Sequence, residues 1–121
     1  MGWAVAFSRG RSPCVIQLYI ANATDTTIRD MWGTIVVLPG VIPLTFHARF
    51  IDPNFVRGVP VTSPETCPRN IERIELREVS PCYRGRPIAR GCDAPIVPYL
   101  SRLTERRNDV VPVAVAPDFD Q

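Results

Sequence analysis

Four cysteines, Cys14, Cys67, Cys82 and Cys92, separated by 53, 15 and 10 positions, constrain this chain more than any other feature. A structural zinc site places two ligands on one tight turn, as in C-x-x-C, because such a pair loses little extra entropy on binding. No two cysteines here are that close and His47 is the only histidine, so the spacing favours two disulfides over a metal centre, with four buried thiols as the remaining alternative. Reach narrows the connectivity. Residues 71–79 read as a strand, and nine extended residues cover about 30 Å, whereas bridged Cα atoms lie within about 7 Å of each other. Cys67 and Cys82, at opposite ends of that strand, are therefore poor partners. The loop of residues 83–91 contains Gly85, Pro87 and Gly91 and closes readily, which pairs Cys82 with Cys92 and leaves Cys14 for Cys67. Each bridge stabilises a fold by ~2–4 kcal/mol.

The 121 residues fit one domain with one core, and 13 prolines work against long helices. All 14 basic residues are arginines, yet the net charge is only +2 and acidic residues are interleaved with them. That pattern lacks the field that gathers phosphates along a groove, so nucleic acid is not an expected partner. No run approaches the ~20 apolar residues of a membrane-spanning helix. An even cysteine count suits a periplasmic or extracellular location. The first seven residues include the apolar run from Trp3 to Phe7 but not the basic leader of a secretory signal, so the expectation is a mature or incomplete form.

Hydrophobic alternation marks four strands. Residues 15–21 put Ile16, Leu18 and Ile20 on one face and end in the polar run 22–27, whose short oxygen-bearing side chains favour turns. Residues 28–38 are rich in β-branched residues, with Gly33 marking a bulge or a close backbone approach. Residues 44–51 set Leu44, Phe46, Ala48 and Phe50 on one face and Thr45, His47 and Arg49 on the other, so that His47 points away from the core. In residues 71–79 a helix would stack Arg69, Arg73 and Arg77, and likewise Glu72, Glu75 and Glu78, in like-charge rows. A strand instead alternates Arg73, Glu75 and Arg77 along one face, which suits an exposed or edge position.

The second half changes character. From residue 93 or 94 to 107, Ile96, Leu100 and Leu103 fall at helical spacing, and the basic Arg106 and Arg107 sit at the helix's negative end. Residues 109–121 are apolar but broken by prolines, which predicts an extended arm. Residues 1–13 read as an amino-terminal extension.

With one histidine on a strand's outer face, no nucleophile, base and orienting group can be assembled, and no glycine loop cradles a phosphate. The glutamates read as a solvated strand face. The expectation is a non-catalytic chain without cofactor or metal. Arg84, Arg86 and Arg90, on a loop closed by Cys82 and Cys92, could grip an acidic patch on a protein partner.

The run from Leu18 to Ile28, followed by the run from Trp32 to Val37, resembles the opening strands of small immunoglobulin-like sandwich domains of bacterial envelope proteins. In those an apolar strand ends in an Asn-x-Thr-Asp turn and the next strand enters as Ile-x-x-apolar-x-Gly-x-Val. The likeness covers about one-sixth of the chain, residues 18–38, and the prolines bounding the third strand and the later cysteines depart from it. It implies a non-catalytic accessory or interaction module.

The expected fold is all-β: an immunoglobulin-like antiparallel β-sandwich over residues 14–92 with a disulfide-closed loop, a short helical segment over 93–108 and an extended carboxyl-terminal arm over 109–121. Function is expected to follow from the termini. Val110, Val111, Val113, Val115 and Phe119 have no predicted surface of their own, and covering each on a neighbour contributes roughly 1.5–3 kcal/mol before ordering costs. This predicts a structural or accessory subunit that docks into a larger extracytoplasmic protein assembly and can form a homo-oligomer. The alternative is a secreted binder or inhibitor that uses the arginine loop.

Overall fold

A computed structural model describes residues 2–23, 25, 27–38, 42–63, 65–70, 72–79, 98–106 and 110–115. Among the described residues, eight strands and one helix follow in the order β1 Gly2–Phe7, β2 Cys14–Ala21, β3 Ile28–Leu38, β4 Ile42–Ile51, β5 Val56–Ser63, β6 Arg73–Val79, α1 Pro98–Arg106, β7 Val110–Pro112 and β8 Ala114–Val115. They form two four-stranded sheets, the first in the order β5-β2-β1-β7 and the second in the order β4-β3-β6-β8. Every pairing is antiparallel except β6 with β8.

One apolar core lies between the sheets. Trp3, Val5, Phe7, Ile16, Leu18 and Ile20 from the first sheet meet Met31, Ile35, Val37, Leu44, Phe46, Ile74 and Leu76 from the second. The Trp3 and Phe46 rings cross at 5.8 Å and 58°, within the preferred range for tilted aromatic pairs.

The first strand corrects the expectation of an amino-terminal extension. All six residues of β1 are buried, because the sequence alternates large with small: Trp3, Val5 and Phe7 fill the inter-sheet core, and Ala4 and Ala6 face the other way. On that outer side Leu100 of α1, fully buried, packs with Ala4, Ala6, Ala21 and Val110, and Leu103 joins them. Alanine on the strand leaves room for the helix to lie close. The helix begins at Pro98, where the missing N–H costs nothing.

The arm is corrected in the same way. Val110 and Val111 pair with Ala6 and Val5 of β1, the Val113 N–H donates to the Trp3 carbonyl at 3.1 Å, and Ala114 and Val115 pair with Glu75 and Leu76 of β6. Residues 110–115 thus pass from one sheet to the other and close one side of the fold. The strand β6 is consequently not an edge, since β3 and β8 flank it.

Three local features set the faces. A strand at 56–63 escapes the alternation pattern because Gly58 and Pro60 interrupt it, and it sits at the edge of the first sheet, where a residue without N–H is tolerated. At Gly33 an added Cβ would meet the Glu78 carbonyl oxygen at 2.5 Å and the Phe46 ring, next to the register shift between Thr34 and Ile35, as expected of a glycine at a bulge. At Phe50 the backbone is left-handed (φ 54°), which turns its ring out of the core and lets Ile51 in. Phe50 was expected beside Phe46 inside; it is 61% exposed.

Candidate functional site

Cys14 and Cys67 are bridged, with Cα atoms 4.6 Å apart, in agreement with the expected pairing. The surrounding backbone reinforces the bridge: the Gly10 N–H donates to the Cys67 carbonyl (2.8 Å), the Cys67 N–H to the Arg11 carbonyl (2.7 Å) and the Cys14 N–H to the Glu65 carbonyl (2.8 Å). Both cysteines are buried. Cys82, Cys92, Arg84, Arg86, Arg90 and Phe119 lie outside the described residues. Of the valines expected to meet a partner, Val110 is buried under α1, Val111 and Val113 pack against the inter-sheet core, and Val115 stands opposite Leu76 in β8.

The two sheets differ on their outer sides. The first carries α1, whereas the second presents polar and aromatic side chains from β3, β4 and β6. In the β3–β4 register Asp30 stands opposite Arg49, Trp32 opposite His47 and Thr34 opposite Thr45. The Trp32 and His47 rings are stacked, with centroids 3.6 Å apart and planes 5° from parallel. The His47 Nε2 and Asp30 Oδ1 atoms are hydrogen-bonded, and the Arg49 Nε lies 4.0 Å from the same oxygen. Asp30 therefore orients the imidazole, and the imidazole covers one face of the indole. Trp32 is nevertheless 55% exposed.

The edges of this patch are also built. Phe50 follows Arg49 along β4, and its left-handed backbone presents the ring to solvent. Phe55, in the turn that closes β4 onto β5, is exposed as well. That turn is anchored by Asn22, which is buried: its side-chain amide donates to the Ile51 carbonyl at 2.8 Å, its N–H to the Phe55 carbonyl at 3.0 Å, and its carbonyl accepts from the Asn54 N–H at 2.8 Å. Asn54 adopts the left-handed conformation that asparagine tolerates well (φ 65°). On β6 the Glu75 carboxylate is nearly buried and is held by Arg77 at 2.7 Å and Arg73 at 3.5 Å, so its charge is compensated on both sides.

His47 occupies the outer face, as its phase predicts. Trp32, Asp30, Arg49 and Phe50 were not picked out as site residues. Trp32 shares its phase with Asp30 and Thr34 on the polar side of β3, a signal present in the sequence, but only the pairing register brings it against His47. Among the described residues no group of three or more histidine, cysteine, aspartate or glutamate side chains is placed to hold a metal ion, and no helix is long and apolar enough to cross a membrane. Comparison with protein-family models, with curated protein sequences and with solved structures gives no match.

Proposed function

We propose that the chain is a non-catalytic accessory module of an extracytoplasmic protein assembly, an immunoglobulin-like sandwich that docks through the outer face of its second sheet. The observation that carries this reading is the exposed Trp32, held against His47 and flanked by Asp30 and Arg49, with Phe50 exposed further along β4. Tryptophan and arginine are the residues that most often dominate the energetics of protein contacts, and a ring already immobilised by stacking loses little rotamer entropy on binding. A left-handed phenylalanine that gives up a core position for solvent fits a surface kept for contact, since such conformations persist where surrounding structure or function holds them. The Cys14–Cys67 bridge suits an oxidising compartment. With Val110, Val111 and Val113 engaged inside the fold, the contact surface is assigned to this face in place of the termini.

The test is size-exclusion profiling of the native extract from source cells, comparing the wild-type chain with Trp32→Ala and Arg49→Ala. The reading predicts that the wild type elutes in a complex above the mass of a single chain and that both variants, folded by near-ultraviolet circular dichroism, elute alone. Unchanged elution of both variants would overturn it, and loss of the complex on replacing Arg84, Arg86 and Arg90 with alanine would move the contact to the arginine loop.

A further inference from the structure

The outer face of the second sheet has a pattern that repeats itself under rotation. Asp30 faces Arg49 across the β3–β4 pair, and one step along the strands Trp32 faces His47. A two-fold axis lying in the plane of contact, parallel to the strands and midway between β3 and β4, lays β3 of one copy over β4 of the other. Each Asp30 carboxylate then meets an Arg49 guanidinium of the second copy, and each Trp32 meets a His47. We infer that the occupant of this face is a second copy of the chain, so that the accessory module is an isologous dimer; this rests on the reading of that face as the docking surface.

Charge is the first argument. Asp30 on β3 and Arg49 on β4 lie 4.0 Å apart, so the two strands that would overlap carry opposite signs side by side without accumulating into one. A face of this kind selects neither a strongly acidic nor a strongly basic partner; it selects a surface with the same alternation in the opposite order, which its own rotated copy supplies. Aromatic exposure is the second. Trp32 is more than half exposed, and in a sheet-on-sheet contact about this axis it would be withdrawn from water near the centre of the patch. The third is closure. The outer side of the first sheet is occupied by α1, so stacking through the second sheet ends at two copies and does not propagate into a fibre. Because β4 is the edge of its sheet, this axis overlays β3 and β4 alone. Two strands about 4.8 Å apart and about ten residues long offer a footprint of roughly 10 Å by 30 Å, below the size of stable specific interfaces, so the dimer is weak and forms in a concentration-dependent way.

Sedimentation velocity on the full chain, over roughly micromolar to millimolar concentrations, reads the outcome. The wild type should move from 13.5 kDa towards twice that mass, and Trp32→Ala should shift the transition to concentrations at least about tenfold higher. Asp30→Arg and Arg49→Asp should each be monomeric alone, because both contacts between positions 30 and 49 become like-charged. Mixed in equal amounts, they should form a heterodimer in which both contacts are again of opposite sign. That recovery separates a contact between copies from the pair within one copy, which mixing does not restore. A wild type that stays at 13.5 kDa throughout, or a mixture that stays monomeric, overturns the dimer. If such a monomeric wild type still loses its complex in the native extract on Trp32→Ala, the docking face stands and only its occupant is wrong.

Discussion

Replacing Cys14 and Cys67 together with alanine removes a cross-link that spans 53 positions of the chain. In the chain-entropy description, closing a loop of that length withdraws about 4 kcal/mol of conformational freedom from the unfolded state at 25 °C. The folded state keeps most of what surrounds the bridge. The three backbone hydrogen bonds linking residues 10, 11 and 14 to residues 65 and 67 remain, as does the β2–β5 ladder that starts with Cys14 opposite Ser63. The loss therefore acts mainly through the unfolded chain, with a smaller addition from the void left by two buried sulfurs. Alanine is preferred to serine because a hydroxyl at these sites has no water to meet. Denaturant unfolding, followed by the fluorescence of the buried Trp3, should show a decrease of about 4 kcal/mol and a steeper denaturant dependence, as the freed chain exposes more surface. For a chain of this size that corresponds to a melting temperature lower by roughly 15 °C. A decrease below about 1 kcal/mol, with unchanged denaturant dependence, would refute the reasoning, because a bridge closing so long a loop cannot be so nearly neutral unless the unfolded state is already held together there.

Three further outcomes follow from particular positions. Gly33→Ala places a Cβ 2.5 Å from the Glu78 carbonyl oxygen and into the Phe46 ring, so thermal unfolding should show a loss of about 2–3 kcal/mol, at the upper end for overpacking, since a backbone carbonyl cannot swing aside. At Phe50 the usual strand order of alanine over glycine should reverse: with φ at 54°, Phe50→Gly should exceed Phe50→Ala in stability by about 1 kcal/mol in urea titrations, and equal stability would argue against the left-handed backbone. Truncation after residue 108 removes β7 and β8 and uncovers the partners of Val110, Val111 and Val113, so the truncated chain should lose cooperative unfolding in calorimetry; an unchanged transition would restore the picture of a dispensable arm.

Alternation was legible wherever one face of a strand is buried and the other wet. The strand from Ile28 to Leu38 was bounded as it is found, Ile16, Leu18 and Ile20 point inward as their phase requires, and the helix around Leu100 and Leu103 was recognised from spacing. What escaped was buried on both sides or bent. The first strand shows no polar alternation because α1 covers its alanines while the core takes Trp3, Val5 and Phe7, and only the alternation of side-chain size betrays it. The fifth was hidden by Gly58 and Pro60, residues that an edge strand tolerates. Phe50 was assigned inward because a strict period of two cannot anticipate a left-handed residue.

The site was half legible for a similar reason. That His47 lies on the outer face followed from its own strand, but its stacking on Trp32 and its bond to Asp30 depend on which residues of β3 stand opposite β4, and register is a long-range property. The carboxyl-terminal valines show the converse error. Their proline-broken run was correctly read as extended, yet Pro112 is compatible with an outer strand, and two short pairings place the segment in both sheets. Apolar residues that seemed to need a host find one in the chain's own first strand. On the proposed reading the contact falls to the outer face of the second sheet, where Trp32 is exposed among the described residues.

That the two terminal segments complete the fold is tested most directly by amide hydrogen exchange across the chain. The amides of Val5 and Phe7 in β1 and of Val111 and Val113 near the carboxyl end should exchange as slowly as those of Leu18 and Ile35 in the central strands, through global unfolding alone. Exchange of the 110–113 segment at the rate of an unstructured peptide, while the central strands remain protected, would show a free arm and contradict the account.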